Sequence, residues 1–190
     1  RPGEADAGVT APLPGCRRAL AVATDGNPLL GLADPWTAGA MAVVEACRNV
    51  VCVGGEPAAI TDCLNYGNPE EPRAMGAFVE GVRGIGDACR GLGRLCAPGE
   101  PLPVVSGNVS FYNQSASGRS VAPSPIVACI GIVDDHARCR SLRLKDAGDR
   151  IYLVGRPAPD LGGSLYLNAG YQAGRPAVPG DLGARHLDDR

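Results

Sequence analysis

The chain has 190 residues and 45% hydrophobic content, enough for one cored domain or for one domain and part of another. Its 18 basic and 20 acidic residues are intermixed, the formal net charge is −2, and no basic run occurs, which argues against a nucleic-acid partner. No apolar stretch approaches the roughly 18 residues of a membrane span, and the polar start Arg1-Pro2-Gly3-Glu4 is unlike a secretory signal. The expectations are therefore no membrane partner and a cytoplasmic location. Position 1 is not Met, which suggests a piece of a longer protein.

Residues 1–17 are rich in Pro, Gly and Ala, have no period, and read as a linker. The apolar run 18–24 reads as a strand, broken by Asp25-Gly26-Asn27-Pro28. Asp34-Pro35 is a helix start: a side-chain acceptor for free N–H groups, then a proline where no N–H is needed. The helix should run over 36–50 and stop at Gly54-Gly55, with Arg48-Asn49 near its end. Residues 58–64 read as a second strand and 65–72, NYGNPEEP, as a loop.

A second helix is expected over 73–92, where Met75, Phe78, Val79, Val82, Ile85, Cys89 and Leu92 form a stripe at three- and four-residue steps. Gly76, Gly81, Gly84 and Gly86 would weaken it in isolation, so it should depend on packing against a sheet, with some glycines allowing close approach. A Pro/Gly loop over 95–103, an extended segment over 104–112, a polar loop over 113–123 and a buried strand over 125–133 follow, closed by Asp134-Asp135-His136. Residues 151–155 read as a further strand, and Leu161-Gly162-Gly163-Ser164 as a loop opening a helix. The pattern implies an α+β fold, a mixed sheet with helices packed on one face.

The eight cysteines include no C-x-x-C pair, and there are only two histidines, His136 and His186, so a zinc site is poorly supported. Apolar neighbours such as Val51 and Val53 around Cys52 favour buried free thiols over a disulfide framework. His136, in a polar turn, reads as a surface side chain.

Three segments could carry chemistry. Asp62 leaves an apolar strand, where a carboxylate can reach a metal or nucleotide in the adjoining crevice; the alternative is a cap for loop amides. In Ser106-Gly107-Asn108-Val109-Ser110, Gly107 permits close backbone approach and Asn108 offers a carbonyl oxygen suited to Mg²⁺. Alternation would put Asn108 and Ser110 on one side; the alternative is a β-bulge. Gly162-Gly163-Ser164 could present N–H groups to a phosphate or simply begin a helix.

In order, DPWTAGAMAVVEACRN (34–49), TDCLNYGNPEEP (61–72), VSGNVSFYN (105–113), PSPIV (123–127) and LGGS (161–164) resemble the synthetase part of the phosphoribosylformylglycinamidine synthase family, in the second of its two related halves. The resemblance covers about 19–167. It implies ATP-dependent conversion of formylglycinamide ribonucleotide, with glutamine-derived ammonia, to the amidine. It also implies an aminoimidazole-ribonucleotide-synthetase-like N-terminal domain over about 18–140 and the start of a companion α+β domain over 148–190. By the same resemblance Asp62 and Gly107 meet ATP, Asn108 holds Mg²⁺ and Ser110 lies near the ribonucleotide.

The implied partners are the first half of the enzyme and a glutaminase domain or subunit. The family's catalytic histidine belongs to the first half, and neither His136 nor His186 matches it. This piece alone should therefore be inactive. The chain departs from the family in a longer loop before Pro103 and in Gly26, where a cysteine is common. Two alternatives stand beside this one: another ATP-using relative, such as aminoimidazole ribonucleotide synthetase, selenophosphate synthetase or thiamin-monophosphate kinase, and a non-catalytic nucleotide-binding structural module. TDCLN-x-GNP argues against the relatives.

Overall fold

The computed structural model describes residues 4–94 and 97–155. The elements are β1 (Gly8–Thr10), β2 (Ala19–Asp25), α1 (Pro28–Ala33), α2 (Pro35–Cys52), β3 (Glu56–Asn65), α3 (Pro72–Leu92), β4 (Val104–Ser110) and β5 (Ser124–Val133), followed by a 3₁₀ turn, His136–Arg138. The sheet order is β1-β2-β5-β3-β4. β5 pairs antiparallel with both β2 and β3, and β3 pairs parallel with β4. Strands β2 and β3 therefore run the same way, α2 is the crossover between them, and α3 is the crossover from β3 to β4. This is the mixed α+β sheet expected from the sequence.

Strand alternation divides the sheet into two faces. Ala19, Ala21 and Ala23 of β2, Val127, Cys129 and Val133 of β5, and Ile60 and Leu64 of β3 are buried. They form the core with Val43, Ala46, Cys47 and Val50 of α2. Alanines on β2 let a helix settle close to the strand, and with 4% aromatics in the chain the core is filled by branched aliphatics and thiols. The opposite face keeps Val22, Ile126 and Ile132 about 40% exposed. Among the described residues every cysteine is free, and the buried Cys47 and Cys129 thiols lie 3.7 Å apart.

Helix α3 packs on α2 backbone to backbone. A β-carbon at Gly84 would lie 2.0 Å from the Trp36 carbonyl oxygen, and one at Gly39 would lie 2.2 Å from that of Gly81. The buried line of α3 is therefore Gly81, Gly84, Ile85 and Cys89, while Met75, Val82 and Leu92 of the expected stripe stay exposed. The period holds, but the glycines occupy the contact line, and the close approach is to helix α2 and not to the sheet.

Four local differences have physical causes. β1 lies inside the aperiodic 1–17 segment; three edge residues are too few to show alternation. Helix α1 begins at Asn27-Pro28, where the Asn27 side chain accepts from the Leu29 and Leu30 N–H groups. That is the same cap chemistry as Asp34-Pro35, whose Asp34 accepts from the Thr37 N–H at 3.1 Å. Helix α2 continues past Arg48-Asn49 to Cys52, so Arg48 sits within the helix. Residues 151–155 form no strand, and Ile151 and Val154 are 82% and 94% exposed. The chain separates into one unit up to Leu142 and a second from Arg143. Leu161-Gly162-Gly163-Ser164 and His186 lie outside the described residues. No helix among the described residues is long and apolar enough to cross a membrane.

Candidate functional site

The parallel register of β3 and β4 builds the site. Asp62 aligns with Gly107, Cys63 with Asn108, and Asn65 with Ser110. Asp62 lies between the buried Ile60 and Leu64, so it takes the helix-covered face. Its carboxylate lies across Gly107: a β-carbon there would come within 2.3 Å of Asp62 Oδ1. Gly107 is thus the neighbour that leaves room for this acid, and the ladder irregularity falls just before, between Ile60 and Thr61.

Asp62 has no ion-pair or hydrogen-bond partner among the described residues, and burial pushes its carboxyl above the usual range. The fully buried Tyr66 phenol is pushed up to about 12, first by burial and then by the Asp62 charge. Its ring packs edge-on against Phe78, with centroids 5.3 Å apart.

Asp25 belongs with this acid. Asp25 and Asp62 both align with Val127, one on each side of β5. At about 4.8 Å per strand, the two carboxylates flank the fully buried Val127 on one row. Burial and then Glu45 raise the Asp25 carboxyl, partly offset by its own bond from the Gly26 N–H and by Arg48. Sequence reasoning took Asp25 for a turn residue, although the argument that singled out Asp62, an acid leaving an apolar strand, applies equally. At Gly26 a β-carbon would lie 3.0 Å from the Pro125 carbonyl oxygen, so a side chain there requires a small shift of β5.

Asn108 and Ser110 share a face, as alternation predicts, but it is the opposite face from Asp62 and Gly107. Asn108 Nδ2 lies 3.6 Å from Cys63 Sγ, and Asn65 Nδ2 reaches the same sulfur at 3.6 Å. This commits the Asn108 amide nitrogen and leaves Oδ1 unbonded among the described residues. Ser110 Oγ is held by Asn113, whose Nδ2 lies 3.1 Å away.

A hard cation fits here in a limited way. Asn108 supplies one exposed carbonyl oxygen, and the described residues contain no group of three or more His, Cys, Asp or Glu positioned for a metal. Mg²⁺ keeps several waters and takes phosphate oxygens, so a single amide oxygen suits it as one ligand among those.

A cavity of about 500 Å³ lies elsewhere, walled by Tyr66, Gly67, Arg73, Glu80, Arg119 and Val121 among others, and contains none of the four predicted residues. His136 is exposed and opens the 3₁₀ turn capped by Asp135.

The family described as "AIR synthase related protein, N-terminal domain" matches residues 4–133. The phosphoribosylformylglycinamidine synthase subunit PurL of Methanothrix thermoacetophila is 51% identical over 166 residues, 87% of this chain and 22% of that protein. The subunit PurL of Acidiphilium cryptum is 44% identical over 88% of this chain and 22% of its own length. Among solved structures, Thermotoga maritima PurL complexed with ATP is 30% identical with a TM-score of 0.58, covering 70% of this chain and 20% of that one. The same protein complexed with FGAR gives 0.56 at 30% identity, over 67% and 19%. The chain thus spans about a fifth of the length of these relatives.

Proposed function

The chain belongs to the AIR synthase related protein family, as its N-terminal domain, and from that membership we propose that it forms part of the Mg-ATP site of a phosphoribosylformylglycinamidine synthase. In that role the parent enzyme converts formylglycinamide ribonucleotide, ATP and glutamine-derived ammonia to the amidine, ADP and phosphate in the cytoplasm. The observation that carries the proposal is the Asp62–Gly107 pair, a desolvated carboxylate over a glycine on adjacent parallel strands, one residue from Asn108.

Phosphoryl transfer needs placement and charge neutralisation more than covalent chemistry from the protein. Asp62 and Gly107 meet the nucleotide, with the missing β-carbon of Gly107 making room for the Asp62 carboxylate. Asn108 Oδ1, on the other face of the sheet, would offer one ligand to Mg²⁺, which would supply neutralisation of the phosphates. Ser110 meets the ribonucleotide on the same face as Asn108. The likeness to Thermotoga maritima PurL, solved with ATP and with FGAR, supports both ligands.

We assign residues 18–140 to the aminoimidazole-ribonucleotide-synthetase-like domain and 148–190 to the start of its companion. The half-exposed Val22, Ile126 and Ile132 face is the surface for the related first half of the enzyme, which supplies the catalytic histidine. A glutaminase domain or subunit supplies ammonia.

The test is ammonia-dependent turnover. The full-length protein carrying this segment should form the amidine from formylglycinamide ribonucleotide, ATP and ammonium, and the 190-residue piece should not. Full-length protein that binds ADP tightly yet never turns over would instead establish a structural nucleotide module.

A further inference from the structure

Past the end of β4 the chain makes an abrupt reversal. Tyr112 adopts φ 58°, the one non-glycine residue with positive φ among those described. A tyrosine in this region carries backbone strain, which persists only where surrounding contacts hold it. Those contacts are visible: the Tyr112 N–H donates to the Gly67 carbonyl at 2.9 Å, and the Asn113 N–H to that of Tyr66 at 3.2 Å. The reversal returns the Asn113 side chain to Ser110. Asn113 Nδ2 lies 2.9 Å from the Ser110 carbonyl oxygen, 3.1 Å from Ser110 Oγ and 3.1 Å from the Tyr66 carbonyl oxygen. Ser110 Oγ in turn donates to Asn113 Oδ1 at 3.3 Å.

A lone serine hydroxyl at a strand end rotates freely, and its hydrogen follows whichever partner is present. Here one amide side chain contacts both the hydroxyl and the carbonyl of Ser110. It also ties that residue to the end of β3, where the Tyr66 N–H donates to the Ser110 carbonyl at 3.0 Å. The amide nitrogen has two hydrogens for three acceptors, so the hydroxyl is held by Nδ2 or by Oδ1 in turn, and its direction is set either way.

We propose that Asn113 is a positioning residue for the ribonucleotide, acting through the Ser110 hydroxyl. The proposal rests on the assignment of Ser110 to that substrate. The strain at Tyr112 is the local cost of bringing the amide back to the strand end.

The test is a double-mutant cycle in the full-length enzyme, read as KM for formylglycinamide ribonucleotide, KM for ATP, kcat and melting temperature. Ser110→Ala should raise the ribonucleotide KM about 5- to 10-fold, the size of one lost hydrogen bond. Asn113→Ala should raise it by a similar factor with the ATP KM unchanged, and Ser110→Ala/Asn113→Ala should be no worse than the poorer single variant. Asn113→Asp, of the same shape but without the N–H donors, repeats the measurement if the alanine variant does not fold.

Multiplicative effects in the double variant, or an Asn113 variant that lowers melting temperature with an unchanged ribonucleotide KM, would show a purely structural asparagine and overturn the proposal. An unchanged KM in Ser110→Ala would instead remove the Ser110 assignment beneath it.

Discussion

The two ends of the sheet treat their acids in opposite ways. Where β2 starts and β5 finishes, Arg17 Nε reaches Asp135 Oδ1 at 3.0 Å with a second, shorter contact between the same groups, and Arg18 approaches Asp134 at 3.5 Å. Asp135 also accepts the Ala137 N–H at 3.1 Å. These bonds, the Arg17 guanidinium foremost, hold its carboxyl below the usual range. Toward the other end, Asp25 and Asp62 flank Val127 without arginine ion pairs, and burial pushes both upward. A fold that needs only stability pairs or exposes its acids. A desolvated acid without a counter-ion, its carboxyl perturbed, marks a candidate ligand site.

The largest expected effect separates these ends directly. In the full-length enzyme, Asp62→Asn and Asn108→Ala should each lower ATP-dependent turnover about 10²-fold, the usual scale for a lost electrostatic contact. Asp62→Asn should not melt earlier, because it removes a charge that burial disfavours. Asp135→Asn should do the reverse, keeping turnover per folded molecule and melting slightly earlier. Turnover and melting temperature on the same samples decide it. Early melting with full specific activity in the Asp62 and Asn108 variants would make both residues purely structural members of their strands.

Next in size is a test of packing away from either end. Gly84→Ala places a methyl group 2.0 Å from the Trp36 carbonyl oxygen, so α3 must move off α2, at a cost of about 1–3 kcal/mol. Urea unfolding should show the loss, while turnover of the folded fraction stays normal. A variant as stable as the parent would mean that the two helices pack less tightly than the glycine contacts indicate.

Much of this was legible in the sequence. Periodicity and cap chemistry located α2, β3, α3 and β5, and one acid at a strand exit, Asp62, pointed to the candidate site, while Asp25 was read as a turn residue. What was not legible came from tertiary contacts. That α3 buries Gly81 and Gly84 in preference to Met75 and Val82 depends on α2 lying against it. Alternation within β4 predicted that Asn108 and Ser110 share a face. Only the parallel register with β3 puts Cys63 beneath Asn108 and the Asp62 carboxylate over Gly107. Asn113 ends the VSGNVSFYN stretch, but its contact with Ser110 was not legible there, because it depends on the positive φ at Tyr112.

The smallest expected effect is in the pH dependence, and its sign sharpens the comparison. A carboxyl raised in the folded state contributes stability that is fully present below the unfolded value of about 3.9 and is lost as pH rises through the folded value. Asp25 and Asp62 are of this kind. Asp135 is lowered, so its contribution is present above about 3.9 and is lost as pH falls through its folded value.

Melting temperatures of parent and single Asp→Asn variants, differenced at each pH, isolate one group at a time. Asp62→Asn should melt later than the parent at pH 7, with the gap closing as the pH falls toward 4. Asp135→Asn should melt earlier at pH 7, and its gap should persist at pH 4 and close only below. Both carboxylates are partly open to solvent, so the shifts should be of a few degrees at most and shrink further in high salt at the Arg17 pair. Gaps of the same sign at the two ends would mean that Asp62 has a favourable partner in the full-length protein. The contrast between a paired end and a desolvated end would then fail.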